Sequence, residues 1–427
     1  MNQDMMGWRK TLMLAAVLAA AMVQPVAGQS TPVEQAKAAS VPAAPTVRPE
    51  VGALAAEVQR LLINQQPKEA ASKLASADAI PDKTPYEMHV FARLKGVLAA
   101  STDDAEMAAQ AYEVASQGPW LQDADKLKSL YTILSLHYNA KNYDQAFVWM
   151  DRYRQAGGND PMADMLRAQS YYLKGDYAKA AQAMASERDK ASAAGSVLPE
   201  KQFKLLADSH RLLKDKAAYT QDLEAIVQHY PSQANWRLLL DRLWAKENLS
   251  MRLQLDIFRL QLATSGIHEA SDFTDMAELA FQAGSTAEAS AVLAQGYAAG
   301  VLGVGEKAPA QQRLKDKLSA AAAQDRASLE KDVLRAKTLP DGTGLFNYGF
   351  NMFHQGLTER GIAHMEQGLA KGIPRNLEQA KLRLVAAYAK AGQRDKAKQM
   401  LLTLAGKTDP VGLDDTVRYW NLFLNQP

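Results

Sequence analysis

NYDQAFVWMDRYRQAGGNDPMADMLRAQSYYLKGDYAKAAQAM, the stretch from Asn142 to Met184, holds one short phrase twice: Asn142-Tyr143-Asp144-Gln145-Ala146, then Asp176-Tyr177-Ala178-Lys179-Ala180. Tyr143 to Tyr177 is 34 residues, and so is Ala146 to Ala180. A fixed period of that length marks a helix-turn-helix unit repeated side by side. Two short helices approach closely only where small side chains sit at their crossing, the role read for Ala146 and Ala180. Gly175 can take the left-handed backbone that ends a helix, and Tyr171 and Met184 supply bulk around the small positions. Neither helix buries its apolar face alone, so successive pairs must stack into a continuous core.

Tyr171, Gly175, Tyr177 and Ala180 fall at the offsets of the tetratricopeptide repeat (TPR), and the chain resembles that family. Earlier copies of the small position are Ala70 and Ala108, 38 residues apart, with Ala146 another 38 on. Later ones are Tyr219, Ala289, Gly361 and Ala397. The pair covering 232–270 lacks the small residue, and the Ala- and charge-rich stretch from Ala310 to Ala336 enters the array on length alone. The resemblance implies an all-α fold, an α-α superhelix (TPR-like solenoid) of about ten helix pairs over residues 51–412. A single capping helix with a polar outer face is expected at 413–427.

The ends read differently. Arg9 and Lys10 precede the apolar run from Thr11 to Val23, and Val26-Ala27-Gly28 offers small residues for cleavage, so residues 1–28 read as a signal peptide. Export points to a periplasmic location. Residues 29–50 are rich in Ala and Pro, with no aromatic to bury, and read as a flexible linker. No later run reaches the roughly 18 apolar residues of a membrane helix. Lys and Arg number 49 against 47 Asp and Glu, with no basic run, which argues against nucleic acid as a partner. There is no cysteine, so thiolate sites and thiol nucleophiles are excluded.

Constellations that carry chemistry are few. The histidines at 89, 137, 210, 229, 268, 354 and 364 never stand three or four apart, so no helix offers a paired metal face. Gly300 to Lys307 departs from a phosphate loop because Glu306 separates Gly305 from Lys307 and Ala308 follows. The expectation is therefore no enzyme, no metal and no cofactor. What the TPR resemblance implies is a concave groove lined by the first helix of each pair, where a partner protein or extended peptide docks. Its groove-facing offsets fall on Tyr131, Ser135, Tyr138 and Asn139, then on Met165, Gln169 and Tyr172. The combination of signal, linker and array looks like exported TPR proteins associated with TonB-type energy-transduction systems. Alternatives are a scaffold for envelope polymer export or cell-wall enzymes, and an enzyme with its site in 232–340.

Overall fold

The computed structural model describes residues 45–426. The leader expected at 1–28 and most of the linker expected at 29–50 lie outside the described residues. Among those described there are only helices, with no strand. The chain divides into two compact units: residues up to 198 with 208–213, and residues 199–207 with 214 onward. Unit 1 holds α1 (Pro49–Ile63), α2 (Pro67–Ser76), α3 (Pro85–Thr102), α4 (Ala105–Ala115), α5 (Asp123–Asn139), α6 (Tyr143–Gln155), α7 (Pro161–Leu173) and α8 (Tyr177–Ala193). The next helix, α9 (Glu200–Leu212), is shared between the units. Unit 2 holds α10 (Lys216–His229), α11 (Gln233–Trp244), α12 (Gln254–Thr264), α13 (Ala270–Gln282), α14 (Thr286–Ala298), α15 (Ala308–Thr338), α16 (Thr343–His354), α17 (Thr358–Lys371), α18 (Leu377–Lys390), α19 (Arg394–Leu402) and α20 (Leu413–Leu424).

One backbone device sets the repeat. A left-handed residue ends the first helix of each pair, at Gln65, Asp103, Lys141, Gly175, Lys214, Asn248, Gly284, Gly356 and Gly392. The next amide then folds back onto the helix: Asn142 N bonds His137 O at 2.9 Å, Asp176 N bonds Tyr171 O at 2.9 Å, and Gln393 N bonds Tyr388 O at 2.8 Å. This satisfies a carbonyl the helix would leave open and reverses the chain into its partner. Five residues after the left-handed residue comes the point of closest helix approach. Ala70, Ala108, Ala146, Ala180, Ala289 and Ala397 occupy it, none more than 3% exposed. The paired-helix architecture expected from the sequence is the one the chain adopts.

Before α1, Val47 packs on the first core, made by Val51, Val58, Leu62, Phe91 and Leu98. Arg48 ties this entry down, its side chain donating to both carboxylate oxygens of Glu87 at 2.9 to 3.2 Å. The end of the stretch expected as linker is thus docked. Arg48, through its side chain and then its backbone amide, with the Thr84 amide, holds the Glu87 carboxyl down at about 2. A carboxylate whose folded pKa is depressed adds stability above its unfolded pKa of about 4.3 and loses it as the pH falls toward 2. In acid titrations of unit 1 followed by circular dichroism, Glu87→Gln is expected to flatten the loss of stability between those limits. An unchanged acid profile would count against this anchor.

Unit 2 departs from the sequence reading in two places. The stretch expected as the weakest repeat, Ala310 to Ala336, lies inside one continuous helix of 31 residues, α15. Its Ala, Lys, Leu and Gln are strong helix formers, and no Gly or Pro interrupts it after Pro309. Next, α12 is buried all round rather than on one stripe: Leu255, Asp256, Ile257, Phe258, Arg259 and Leu260 are each at most 9% exposed. The last helix, α20, is the expected cap: Arg418 and Asn421 are exposed on its outer face, and its inner face closes unit 2. Its Tyr419 and Trp420 are 1% exposed. It reaches back to the start of the unit, where Arg418 Nε bonds Glu224 at 2.9 Å, Lys246 pairs with Asp415, and Ser250 N bonds Val411 O at 3.1 Å.

Candidate functional site

In unit 1 the first helices of successive pairs are joined by side chains. Arg93 on α3 donates to Asp125 on α5 at 2.9 Å. The Tyr138 hydroxyl on α5 donates to Gln169 Oε1 on α7 at 2.9 Å, and the Tyr172 hydroxyl on α7 donates to Asp208. The carboxylate of Asp208, with burial, pushes the Tyr172 hydroxyl up to about 12. Tyr138 is also raised, chiefly by burial. Three of the sequence-derived groove residues, Tyr138, Gln169 and Tyr172, are therefore spent on aligning neighbouring repeats.

The other four divide. Tyr131 is half-buried edge-on against Tyr153, ring centres 5.8 Å apart. Ser135 donates back to its own helix, to Tyr131 O at 2.8 Å. Met165 is 8% exposed and belongs to the interior, which corrects its placement on the groove. It stands three residues before the fully buried Ala168, on the same face of α7. Asn139 is exposed at the end of α5.

The residues that leave room for a ligand lie one repeat earlier. Between α3, α4 and α5 is a cleft of about 60 Å³, with Ala92, Gly96, Ala100, Ala108 and Ala111 among its walls and Arg93, Asp125, Lys128 and Thr132 among its polar lining. It exists because α3 presents no bulk there. A Cβ built at Gly96 would meet only the Ala111 Cβ, at 3.8 Å. The volume suits one aliphatic side chain, whose full burial is worth about 1.5 to 3 kcal/mol. The exposed Lys128 ammonium puts a positive group beside it, while the half-buried Arg93 guanidinium is neutralised by Asp125 at 2.9 Å. The signal for this cleft was present in FARLKGVLAA, where Ala92, Gly96 and Ala100 recur four apart on one helix face.

Unit 2 carries the other concentration of perturbed groups, inside the 232–340 region and the helices packed on it. Arg259 on α12 grips Glu288 on α14 with two bonds, at 2.8 and 2.7 Å, and Asp256 with a third at 2.7 Å. Its guanidinium lies 5.1 Å from the Phe350 ring centre, and Arg383 lies 5.0 Å from that of Phe346. Burial pushes His354 down to about 4 and, with help from Arg259, pushes Arg383 down to about 10. Burial also raises the Asp256 carboxyl, whereas at Glu288 the grip of Arg259 outweighs burial and holds the carboxyl below its usual value. These groups serve one another, as a buried ion cluster between α12, α14, α16 and α18.

Among the described residues no group of three or more histidines and carboxylates could hold a metal ion, and no helix is long and apolar enough to cross a membrane. No family model matches the chain, and no curated protein matches it. Solved structures do match. One is the structure of Naa15/Naa10 bound to HypK-THB, at 12% identity and a TM-score of 0.27, covering 85% of this chain and 69% of that one. Another is yeast Tom70, at 13% identity and a TM-score of 0.23, covering 88% of this chain and 95% of that one.

Proposed function

We propose that the chain is an interaction scaffold, working by binding rather than by catalysis, and that unit 1 takes up an extended segment of a partner protein along its first-helix face. The observation that carries this reading is the cleft between α3, α4 and α5, an apolar hole beside the exposed Lys128. A protein segment lodges one aliphatic side chain there while its backbone carbonyls meet Lys128 and Asn139. In unit 2 the helix α12 is itself buried all round, so its interior is filled by the chain's own residues. The place of work is proposed as the periplasm, on the strength of the basic-apolar-small leader from Arg9 to Gly28. The partner is proposed as a component of a TonB-type energising complex, which the resemblance to exported TPR proteins supports.

The test uses a photoreactive residue at Thr132, in the cleft, and another at Val148 on α6, which is 45% exposed. In intact cells, capture of one defined envelope protein from Thr132 and not from Val148 is expected. Capture from Val148 alone would overturn the assignment of the face. Gly96→Leu sharpens the result, because Gly96 lines the cleft and a Cβ added there meets only the Ala111 Cβ. It is expected to lower affinity for that partner about tenfold or more, while the melting temperature holds or rises because a helical glycine has been removed. Retained binding with an occupied cleft would remove the cleft from the interface.

A further inference from the structure

Unit 2 has a second opening, unlike the first in chemistry. The turn into α12, the start of α18 and the loop between α19 and α20 border an open crevice of about 410 Å³. That is the size of a small-molecule pocket. Its polar lining includes Arg252, Asn376, Gln379, Lys407, Thr408 and Asp409.

The hydrogen bonds there do not close. Lys407 Nζ donates to Glu378 at 2.9 Å, and Glu378 also accepts from its own amide, so those two groups are satisfied. Gln379 is only 9% exposed, yet its side-chain amide meets no partner among the described residues. Its nitrogen and oxygen are not cut off from solvent, so the amide opens onto the crevice with its hydrogen bonds left for water or a ligand. The helix start adds to this. Asn376 begins α18 from left-handed backbone with no side-chain cap, and the amides of the first turn point outward from a positive helix end. With Lys407 neutralised by Glu378, the charges left over are the guanidinium of Arg252 and the carboxylate of Asp409, neither of them paired among the described residues.

One cationic fork, one carboxylate and an unspent amide in a polar crevice complement a small zwitterion. We propose that this crevice binds a free amino acid with a polar side chain, its carboxylate on Arg252 and the start of α18, its ammonium on Asp409, and its side chain on Gln379. A guanidinium reads a carboxylate through two parallel bonds, so it fixes orientation as well as charge. The site is independent of the partner face, since it lies in unit 2 and shares no residue with the cleft of unit 1.

The experiment is saturation-transfer NMR on the full chain with L-glutamine, against N-acetyl-L-glutamine, which lacks the ammonium, and L-glutamine amide, which lacks the carboxylate. Transfer to L-glutamine is expected, with each derivative at least about tenfold weaker. Arg252→Gln and Asp409→Asn should each weaken L-glutamine about tenfold. Gln379→Leu should weaken it similarly while the melting temperature holds, since this side chain makes no hydrogen bond to the protein among the described residues. No transfer at about 10 mM L-glutamine, equal transfer to all three probes, or equal binding by the wild type and Arg252→Gln would each overturn the proposal.

Discussion

Replacing Arg259 with methionine is expected to destabilise unit 2 by about 3 to 5 kcal/mol at neutral pH, the usual result of taking one partner out of a buried ion cluster. The side chain that is lost neutralises two carboxylates at once, those of Asp256 and Glu288, each 2% exposed. Methionine fills much of the volume above Phe350 but leaves both carboxylates without their main counter-charge. Arg383 is the remaining cation nearby, and it is already committed to Asn347 at 3.0 Å. The sign of the pH dependence distinguishes this from simple loss of packing. Without Arg259 the two carboxyls should have folded pKa values above their unfolded ones, so the folded variant binds protons more tightly than the unfolded chain. Its deficit relative to the wild type should therefore shrink as the pH falls from 7 toward 5, which urea unfolding at both values would read. A deficit that is the same at both, or below about 1 kcal/mol, would mean the cluster does not carry the interior of unit 2. Changing Arg259, Asp256 and Glu288 together to apolar residues of similar size should recover much of the loss, because no stranded charge remains.

This cluster was not legible in the sequence, for a local reason. Asp256 and Arg259 are three apart on a helix, a spacing that normally describes a solvated ion pair on an exposed face. Nothing local says that the same helix will be covered on every side. The hint lay at the repeat's small position. Counting five residues on from Asn248 lands on Leu253, where most other pairs carry alanine or glycine. A leucine there fits the different environment of α12, whose apolar residues are buried all round. The pairs themselves were legible because the left-handed turn and the small residue five positions later are local features with a fixed spacing. Register survived even where the turn residue was Lys141 or Asp103 instead of glycine. The groove residues were less legible. Family offsets name the helix face, and the structure spends Tyr138 and Tyr172 on that face as ties between repeats. The cleft of unit 1 depends on absent bulk at Ala92, Gly96 and Ala100, a small-residue row whose spacing is visible but which reads equally well as a close helix crossing.

Gly361 makes the opposite case, in which absent bulk is what lets two helices touch. In α16 and α17 the backbones meet at a pair of crossings, Gly349 against Gly361 and Gly342 against Gly368. A Cβ at Gly361 would stand 2.6 Å from both Gly349 O and Phe353 N, and one at Gly368 would stand 2.6 Å from Phe346 N. These are backbone atoms, and rotamer changes cannot move them aside. Gly361→Ala must push α16 and α17 apart along their length, loosening Phe346, Phe350 and Met365, which are at most 1% exposed. Helix propensity pulls the other way, since alanine is better than glycine inside a helix by about 1 kcal/mol. Overpacking costs about 1 to 3 kcal/mol, and the poorer packing of those side chains once the helices part roughly offsets the propensity gain, so the net loss should be about 1 to 3 kcal/mol. Gly96→Ala is the matched control. It is also a helical glycine, its new Cβ meets only Ala111 at an ordinary 3.8 Å, and propensity alone predicts a gain of up to about 1 kcal/mol. Thermal or urea unfolding of the two variants should move in opposite directions from the wild type. If both gain stability, the close approach of α16 and α17 is not a fixed contact, and glycine there reflects flexibility instead of space.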